Sequence, residues 1–239
     1  MLLLKENDLL SDAIVSHPDL IPVLARFGIL PGLGSSTIKE ICSSRGIDIT
    51  FFLAIVNTFL NEGYLPDREI ENFSARSIVD YLRKTHIYYL EVLLPKLELL
   101  VENLVLSSGS DAERNRILKK YYLVYVDSLR KHINDEETGI FPYSLEAEDV
   151  ATGNAAVISQ SFSGFTVASF EGEHFNVENA ITDLKNIIVR FLKPDYDIHL
   201  CHEFLTWLSM FERDIVNHAR IEDHILAGKV RFLEMQFKR

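Results

Sequence analysis

The sequence is poor in cysteine and contains no long apolar run. Its 239 residues include only two cysteines, Cys42 and Cys201, and no CxxC pair. A disulfide framework, a zinc ribbon and a thioredoxin-type motif are therefore excluded, and a reducing compartment is expected. No stretch approaches the roughly 18–20 apolar residues of a membrane span, and the N-terminus lacks the basic start and apolar core of a signal peptide. We expect a soluble cytoplasmic protein with no membrane partner.

Positive charge is also scarce. The chain has 24 lysines and arginines against 35 acidic residues, which gives a formal net charge of -11. Binding to a phosphate backbone needs clustered lysine and arginine side chains, so nucleic acid is not expected as a partner. Hydrophobic residues make up 47% of the chain, which is enough for a sizeable core and argues against disorder.

The first part of the chain has the pattern of a small helical unit. Pro18 is compatible with helix only near a helix start, while Thr37 and Glu40 form the pattern of a capping box. Three helices are predicted, over residues 10–28, 38–46 and 50–60. We therefore predict a small helical N-terminal domain over residues 1–70.

Four longer helical patterns follow a polar linker. They are predicted over residues 75–106, 112–138, 163–192 and 198–227, with a kink at Pro95 in the first. Residues 143–160 show no clear period and are predicted to form the longest connection. Short turns within each pair of helices favour antiparallel neighbours. The predicted fold is all-α, with an antiparallel up-down four-helix bundle over residues 74–239.

The most informative motif is a histidine followed four residues later by a glutamate. It occurs at His132–Glu136 and at His218–Glu222, and the same spacing is found at His174–Glu178 and His199–Glu203. On a helix this spacing places both side chains on one face. The imidazole and one carboxylate oxygen can bind one metal ion, and the second oxygen can reach another. Any single pair is also compatible with an ordinary solvated contact.

The position of each histidine along the predicted bundle separates these readings. In an antiparallel pair, residues equally far from the turn lie at the same level. His86 and His132 each lie 23 residues from Gly109, and His174 and His218 lie 21 and 23 residues from the next predicted turn, at Asp195. These four histidines can therefore meet at one level.

Other histidines fail the same test. His199 lies 19 residues before His218, which is about 28 Å along a helix, and His202 is similarly distant. Both are predicted to lie outside the site. The participation of Glu173 and Glu178 stays open.

The chemistry of these side chains favours metal binding. Burying four imidazoles and two carboxylates at one level without a metal would leave many polar atoms unpaired. Mixed imidazole and carboxylate ligands suit iron, manganese or zinc, and inward-facing Glu and His side chains hold metal pairs in helix bundles. Since no thiolate ligand is available, a redox-active pair of iron ions is the preferred prediction.

The order of these motifs resembles the hemerythrin-like (HHE) cation-binding domains. The run from His132 to Pro142 is similar to the second-helix signature of that family, and Glu173-His174 is similar to its third-helix pair. His218–Glu222 keeps the fourth-helix spacing, although Ala227-Gly228 stands where Phe-Pro usually follows. The resemblance implies a four-helix bundle with a di-iron site.

The N-terminal sequence narrows the resemblance. Residues 13–18 and Phe27-Gly28-Ile29 resemble the small domain that precedes the HHE domain in the repair-of-iron-centres family of di-iron proteins. That family usually continues with Cys-Cys-Gly-Gly, whereas residues 30–34 contain no cysteine here. The resemblance implies six metal ligands, with Glu136 and Glu222 bridging two irons: His86, His132, Glu136, His174, His218 and Glu222.

The resemblance also implies a function. It suggests a stress protein that supports repair of iron–sulfur centres damaged by nitric oxide or oxidants, with damaged iron–sulfur proteins, small gases or peroxide as partners. An alternative is a module that binds or senses oxygen or nitric oxide without catalysis, which the missing cysteines favour. A third interpretation is a structural or zinc-filled bundle with no redox role. Enzymatic activity and the oligomeric state, including a homodimer, stay open.

Overall fold

The described part of the chain is built from helices. The computed structural model describes residues 3–66, 69–108, 112–162, 164–167, 174–191 and 195–237. Within these ranges there is no strand, and only one isolated bridge joins Leu9 to Thr37. The prediction of an all-α fold is confirmed for these residues. None of their helices combines the length and apolar character needed to cross a membrane.

The helices of the described residues are numbered in chain order. They are α1 (Leu10–Ser16), α2 (Leu20–Arg26), α3 (Ile38–Arg45), α4 (Ile49–Leu60), α5 (Ala75–Tyr88), α6 (Leu94–Leu106), α7 (Ala112–Thr138), α8 (Ile140–Ala151), α9 (His174–Phe191), α10 (Ile198–Arg220) and α11 (Ala227–Phe237). Two π-turns interrupt this series, at Tyr89–Leu93 and Ile221–Leu226. Short 3₁₀ turns occur at Ile70–Asn72 and Gln160–Phe162.

The helix predicted over residues 10–28 is in fact two helices, α1 and α2. The break falls at His17, which adopts φ −136° and ψ 75°. Pro18 is the cause, because its ring clashes with a helical conformation of the preceding residue. The capping box between Thr37 and Glu40 is confirmed at the start of α3.

Pro95 lies at the start of α6, directly after the first π-turn. Proline has no backbone N–H, and its ring clashes with the carbonyl four residues earlier in an α-helix. The wider π-turn accommodates this clash, so the chain stays helical from α5 into α6. The structure shows a π-turn directly before Pro95, and the predicted kink of the helix at Pro95 stays a prediction.

The segment predicted as the longest connection is partly helical. α7 has the bounds predicted for it, but α8 begins two residues after it ends, so the prediction for residues 143–160 is wrong over most of α8. Pro142 falls in the first turn of α8, where a helix needs no backbone donor. Gly139 separates the two helices, and a Cβ placed there would lie 2.7 Å from the Asp135 carbonyl oxygen.

The helix predicted from Ser163 begins later. Residues 164–166 are not helical, and Gly164 has a φ of +81°. In the described residues α9 begins at His174, and residues 163 and 168–173 lie outside them. The last predicted helix, over residues 198–227, corresponds to α10 and the second π-turn, and α11 extends it to Phe237.

The chain groups into two compact units. The first comprises Met1–Lys84, Ser144–Ser163 and Asn217–Arg239, and the second comprises Thr85–Tyr143 and Gly164–Val216. In the first unit, Phe27 contacts Phe51, Phe52 and Tyr81 at ring-centroid distances of 5.0–5.9 Å. The predicted boundary between domains at residues 1–70 and 74–239 stays a prediction.

The core of the second unit is built from α6, α7, α9 and α10 together with the first π-turn. α7 packs against both α6 and α9. The largest fully buried side chains of this core are aromatic: Tyr89, Tyr122, Phe204 and Phe211. Burial of this apolar surface provides the main stabilisation of the unit.

Candidate metal centre

Four buried side chains bring metal-binding atoms to one place. One imidazole nitrogen or carboxylate oxygen from each lies within 4.8 Å of all the others, and the four residues are His86, Glu136, His218 and Glu222. Nitrogen and oxygen ligands lie about 2.0–2.2 Å from a first-row metal ion, so opposite ligands are about 4.4 Å apart. The group is therefore close to the spacing that one ion requires, and it can hold a metal ion.

Each of these residues lies where a helix ends or changes pitch. His86 is in the last turn of α5 and His218 in the last turn of α10. Glu136 lies two residues before the end of α7, and Glu222 is the second residue of the second π-turn. A π-turn adds a residue to one turn and is frequent at functional sites. Here one π-turn begins three residues after His86, and the other contains Glu222.

Glu136 directs its two carboxylate oxygens at two different histidines. Its Oε2 lies 3.0 Å from His86 Nε2, and its Oε1 lies 2.8 Å from His132 Nε2. The Glu136 side chain is fully buried, and the His132 side chain is 10% exposed. Two ligands at right angles on one ion are about 3 Å apart, so both contacts already have the spacing of neighbouring ligands.

The second His–Glu pair has similar geometry. His218 Nε2 lies 3.3 Å from Glu222 Oε2, and both side chains are almost completely buried. The predicted spacing of four residues therefore produces a direct contact at both motifs. In contrast, His199 and His202 are exposed and are not members of the buried group.

The His86 ring is fixed on two sides by residues that follow Glu136. Its Nδ1 lies 3.0 Å from Glu137 Oε1. The Phe141 ring stacks on it, with centroids 5.3 Å apart and planes 12° from parallel. Glu137 was not among the predicted site residues, and the one sequence signal for it is its position beside Glu136 in the second-helix motif.

Two of the six predicted ligands, His132 and His174, are not among the four grouped residues. His132 contacts Glu136 but is not one of the four grouped residues. His174 is the first described residue of α9, and its side chain lies outside the described residues, as do those of Glu173 and Glu178. The complete set of six ligands therefore stays a prediction.

Arg220 lies between His218 and Glu222 and anchors this segment. Its guanidinium donates hydrogen bonds of 2.6–3.3 Å to Asn217 Oδ1 and to the carbonyl oxygens of Thr58, Asn61, Glu62 and Tyr64. The last carbonyls of a helix have no partner within it, so Arg220 satisfies groups at the end of α4. Burial lowers the pKa of Arg220, but a guanidinium stays charged at neutral pH.

The donor set suits a first-row transition metal. Two imidazoles and two carboxylates offer nitrogen and oxygen ligands without a thiolate, a combination that iron, manganese and zinc accept. The burial of both carboxylates supports this use, since a bound cation provides the compensating charge. No family model and no curated protein matches this sequence. The interpretation of the site as a metal centre therefore rests on the chemistry and positions of its side chains.

Proposed function

We propose that this protein is a hemerythrin-like non-haem iron protein, in which an antiparallel four-helix bundle with a small N-terminal domain holds two iron ions. The observation that carries the proposal is the buried group of two imidazoles and two carboxylates, with donor atoms within 4.8 Å of one another. Two buried carboxylates need compensating positive charge. Metal ions supply that charge at every pH at which the ligands are deprotonated.

The geometry at Glu136 supports a pair of ions. Because its oxygens contact His86 and His132 separately, each oxygen could join a different imidazole on a different ion. His174 and the His218–Glu222 pair would complete the set of six ligands. Facing Glu and His side chains of this kind hold di-iron and di-manganese pairs in other helix bundles.

The proposed cellular role is support of iron–sulfur centres damaged by nitric oxide or oxidants. It rests on the resemblance to the repair-of-iron-centres family together with the buried donor set. A bound iron pair would supply one-electron chemistry and affinity for small ligands. The residues of the chain would hold the ions in a site that is almost closed to solvent, since the four grouped residues are at most 5% exposed.

A reconstitution assay tests this role. Iron-loaded protein is mixed with an iron–sulfur enzyme whose cluster has been damaged by nitric oxide, and recovery of enzyme activity is followed. We expect recovery above that produced by the same concentration of iron salt. A His218→Ala variant treated with iron in the same way serves as the matched control. Recovery no greater than that with the salt would contradict the repair role.

Reversible gas binding is the second candidate function. It is favoured by the loop over residues 30–34, which has no cysteine and so no thiol for redox chemistry or for passing on iron. Titration of the reduced, iron-loaded protein with oxygen or nitric oxide separates the two candidates. Spectral changes that reverse when the gas is removed, without consumption of the gas, would support binding over repair.

A further inference from the structure

We infer that Glu137 is a positioning residue of the metal centre. Its carboxylate bonds the His86 nitrogen that faces away from the metal site and so orients the ring for metal binding. The inference rests on the proposed metal-binding function and extends it to a residue that does not contact the ion. It is carried by the hydrogen bond at Nδ1 of the His86 ring and by the carboxylate oxygen that faces Nε2.

The two ring nitrogens of His86 have different partners. Nε2 faces Glu136 Oε2 at 3.0 Å, and Nδ1 faces Glu137 Oε1 at 3.0 Å. A neutral imidazole carries one N–H and one lone pair, and the hydrogen bond at one nitrogen decides which nitrogen is the ligand. A carboxylate at Nδ1 holds the proton there, which leaves the Nε2 lone pair directed at the buried donor group.

The surroundings of His86 limit its other freedom. Phe141 stacks on the ring at an interplanar angle of 12°, so the plane of the imidazole is already set. Phe141 lies two residues after Gly139, the residue between α7 and α8, where a Cβ would come within 2.7 Å of the Asp135 carbonyl oxygen. The stacking partner fixes the plane, and Glu137 fixes the tautomer and the direction of the nitrogens within that plane.

The exposure of Glu137 argues for a role beyond packing. Its side chain is 31% exposed, so it is only partly enclosed by its neighbours. Its carboxylate bonds a ring that also contacts the fully buried carboxylate of Glu136, its neighbour in sequence. Two adjacent carboxylates repel each other unless positive charge lies nearby, and a cation bound through His86 and Glu136 would provide that charge.

Metal affinity tests the inference directly. Loss of a carboxylate partner of a ligand histidine usually weakens metal binding by about 10–100-fold. We expect this loss in Glu137→Ala when Co²⁺ is titrated against a competing chelator and its visible absorption is recorded. Glu137→Gln keeps an oxygen that can accept from Nδ1, so it is expected to recover most of the affinity and the wild-type Co²⁺ spectrum.

A surface glutamate provides the matched control. Glu203 is 45% exposed and pairs with Lys96 at 2.8 Å, so Glu203→Ala removes the same charge away from the site and should bind Co²⁺ like the wild type. Unfolding of each metal-free variant in urea shows whether the fold is retained. If Glu137→Ala does not fold, Glu137→Gln is compared with the wild type alone. A tenfold loss of Co²⁺ affinity in Glu137→Gln would contradict the hydrogen-bond role.

The outcomes separate this inference from the function on which it rests. The positioning role would be overturned if Glu137→Ala bound Co²⁺ as tightly as the wild type, or if Glu137→Ala and Glu137→Gln lost equal affinity. Neither result would contradict the metal centre itself. Absence of tight Co²⁺ binding by the wild-type protein would overturn both. A 10–100-fold loss in Ala with recovery in Gln would support the positioning role.

Discussion

Glu136 shows what the centre requires of a single residue. A carboxylate is costly to bury, yet the Glu136 side chain has no solvent exposure and contacts His86 and His132 through separate oxygens. Either imidazole can compensate its charge only by taking up a proton. A metal ion does so while the histidines stay neutral, which is the form in which they act as ligands.

Removal of single histidines tests which of them bind metal. His132→Ala and His218→Ala should each weaken metal binding by more than about 100-fold, since loss of a ligand costs more than loss of its outer partner. His199→Ala should leave metal content unchanged, because His199 is exposed and outside the buried group. The metal-to-protein ratio after purification and desalting measures the effect.

The three variants form a controlled set. Each replaces one histidine that is followed four residues later by a glutamate, so local sequence is matched. Equal metal loss in all three would show that position along the bundle does not select the ligands. Unchanged metal content in all three would place the bound metal elsewhere in the chain.

The HxxxE spacing alone does not distinguish buried pairs from exposed ones. His132–Glu136 and His218–Glu222 are buried contacts, whereas His199 is exposed and Glu203 pairs with Lys96. The predicted level of each histidine combines the helix lengths with the turn positions, and it places His132 and His218 apart from His199; the meeting of all four predicted histidines at one level stays a prediction. Glu137 was not predicted, because its only sequence signal, its position beside Glu136, does not show that its side chain contacts the His86 ring.

At the scale of elements, the end of α4 depends on a side chain from far along the chain. The carbonyl oxygens of Thr58, Asn61, Glu62 and Tyr64 all accept hydrogen bonds from Arg220. The Arg220 guanidinium thus caps the C-terminal end of α4. Arg220 also lies between His218 and Glu222. The segment that carries these two candidate ligands is therefore hydrogen-bonded to the end of α4.

Replacement of Arg220 should destabilise this unit strongly. Arg220→Met leaves several carbonyl oxygens without their charged donor, which is expected to cost about 2–4 kcal/mol. Arg220→Lys should recover only part of this, because an ammonium group cannot reproduce the planar fork of a guanidinium. Urea unfolding of the metal-free protein measures the loss, and hydrogen exchange should show the largest change in α4.

Arg76 offers the comparison for that experiment. Its guanidinium forms an ion pair with Asp149 at 3.0 Å and is 62% exposed, so Arg76→Met should change stability by about 0.5 kcal/mol. A similar small effect of Arg220→Met would mean that its hydrogen bonds do not hold the end of α4.

Two prolines explain why element boundaries were only partly predictable. Pro18 ends α1, whereas Pro142 lies in the first turn of α8, and the local rule allows both outcomes. The decision depends on distant partners. Glu148 on α8 accepts a hydrogen bond of 2.7 Å from the backbone N–H of Ala75 at the start of α5, and Ser144 is fully buried. No local periodicity reveals contacts between segments 73 residues apart.

For the whole molecule, acidity complicates any measurement of metal binding. A net charge of -11 attracts divalent cations to the surface without a built site. Salt weakens such surface binding by screening the charges. Salt has much less effect on a cation held by ligands in a buried site. A specific centre is therefore recognised by its effect on unfolding at physiological salt rather than by cation uptake alone.

Removal of metal should lower the stability of the whole chain. A ligand present at 100 times its Kd stabilises the folded state by about 2.7 kcal/mol, and 1 kcal/mol corresponds to about 2–4 °C for a chain of this size. Chelation followed by dialysis should therefore lower Tm by about 5–10 °C, and Fe²⁺ added under anaerobic conditions should restore it. In a His132→Ala/His218→Ala double variant, the same treatment should shift Tm by less than about 2 °C, because only surface sites are left. An equal shift in that variant would assign the stabilisation to the acidic surface and would contradict a buried metal centre.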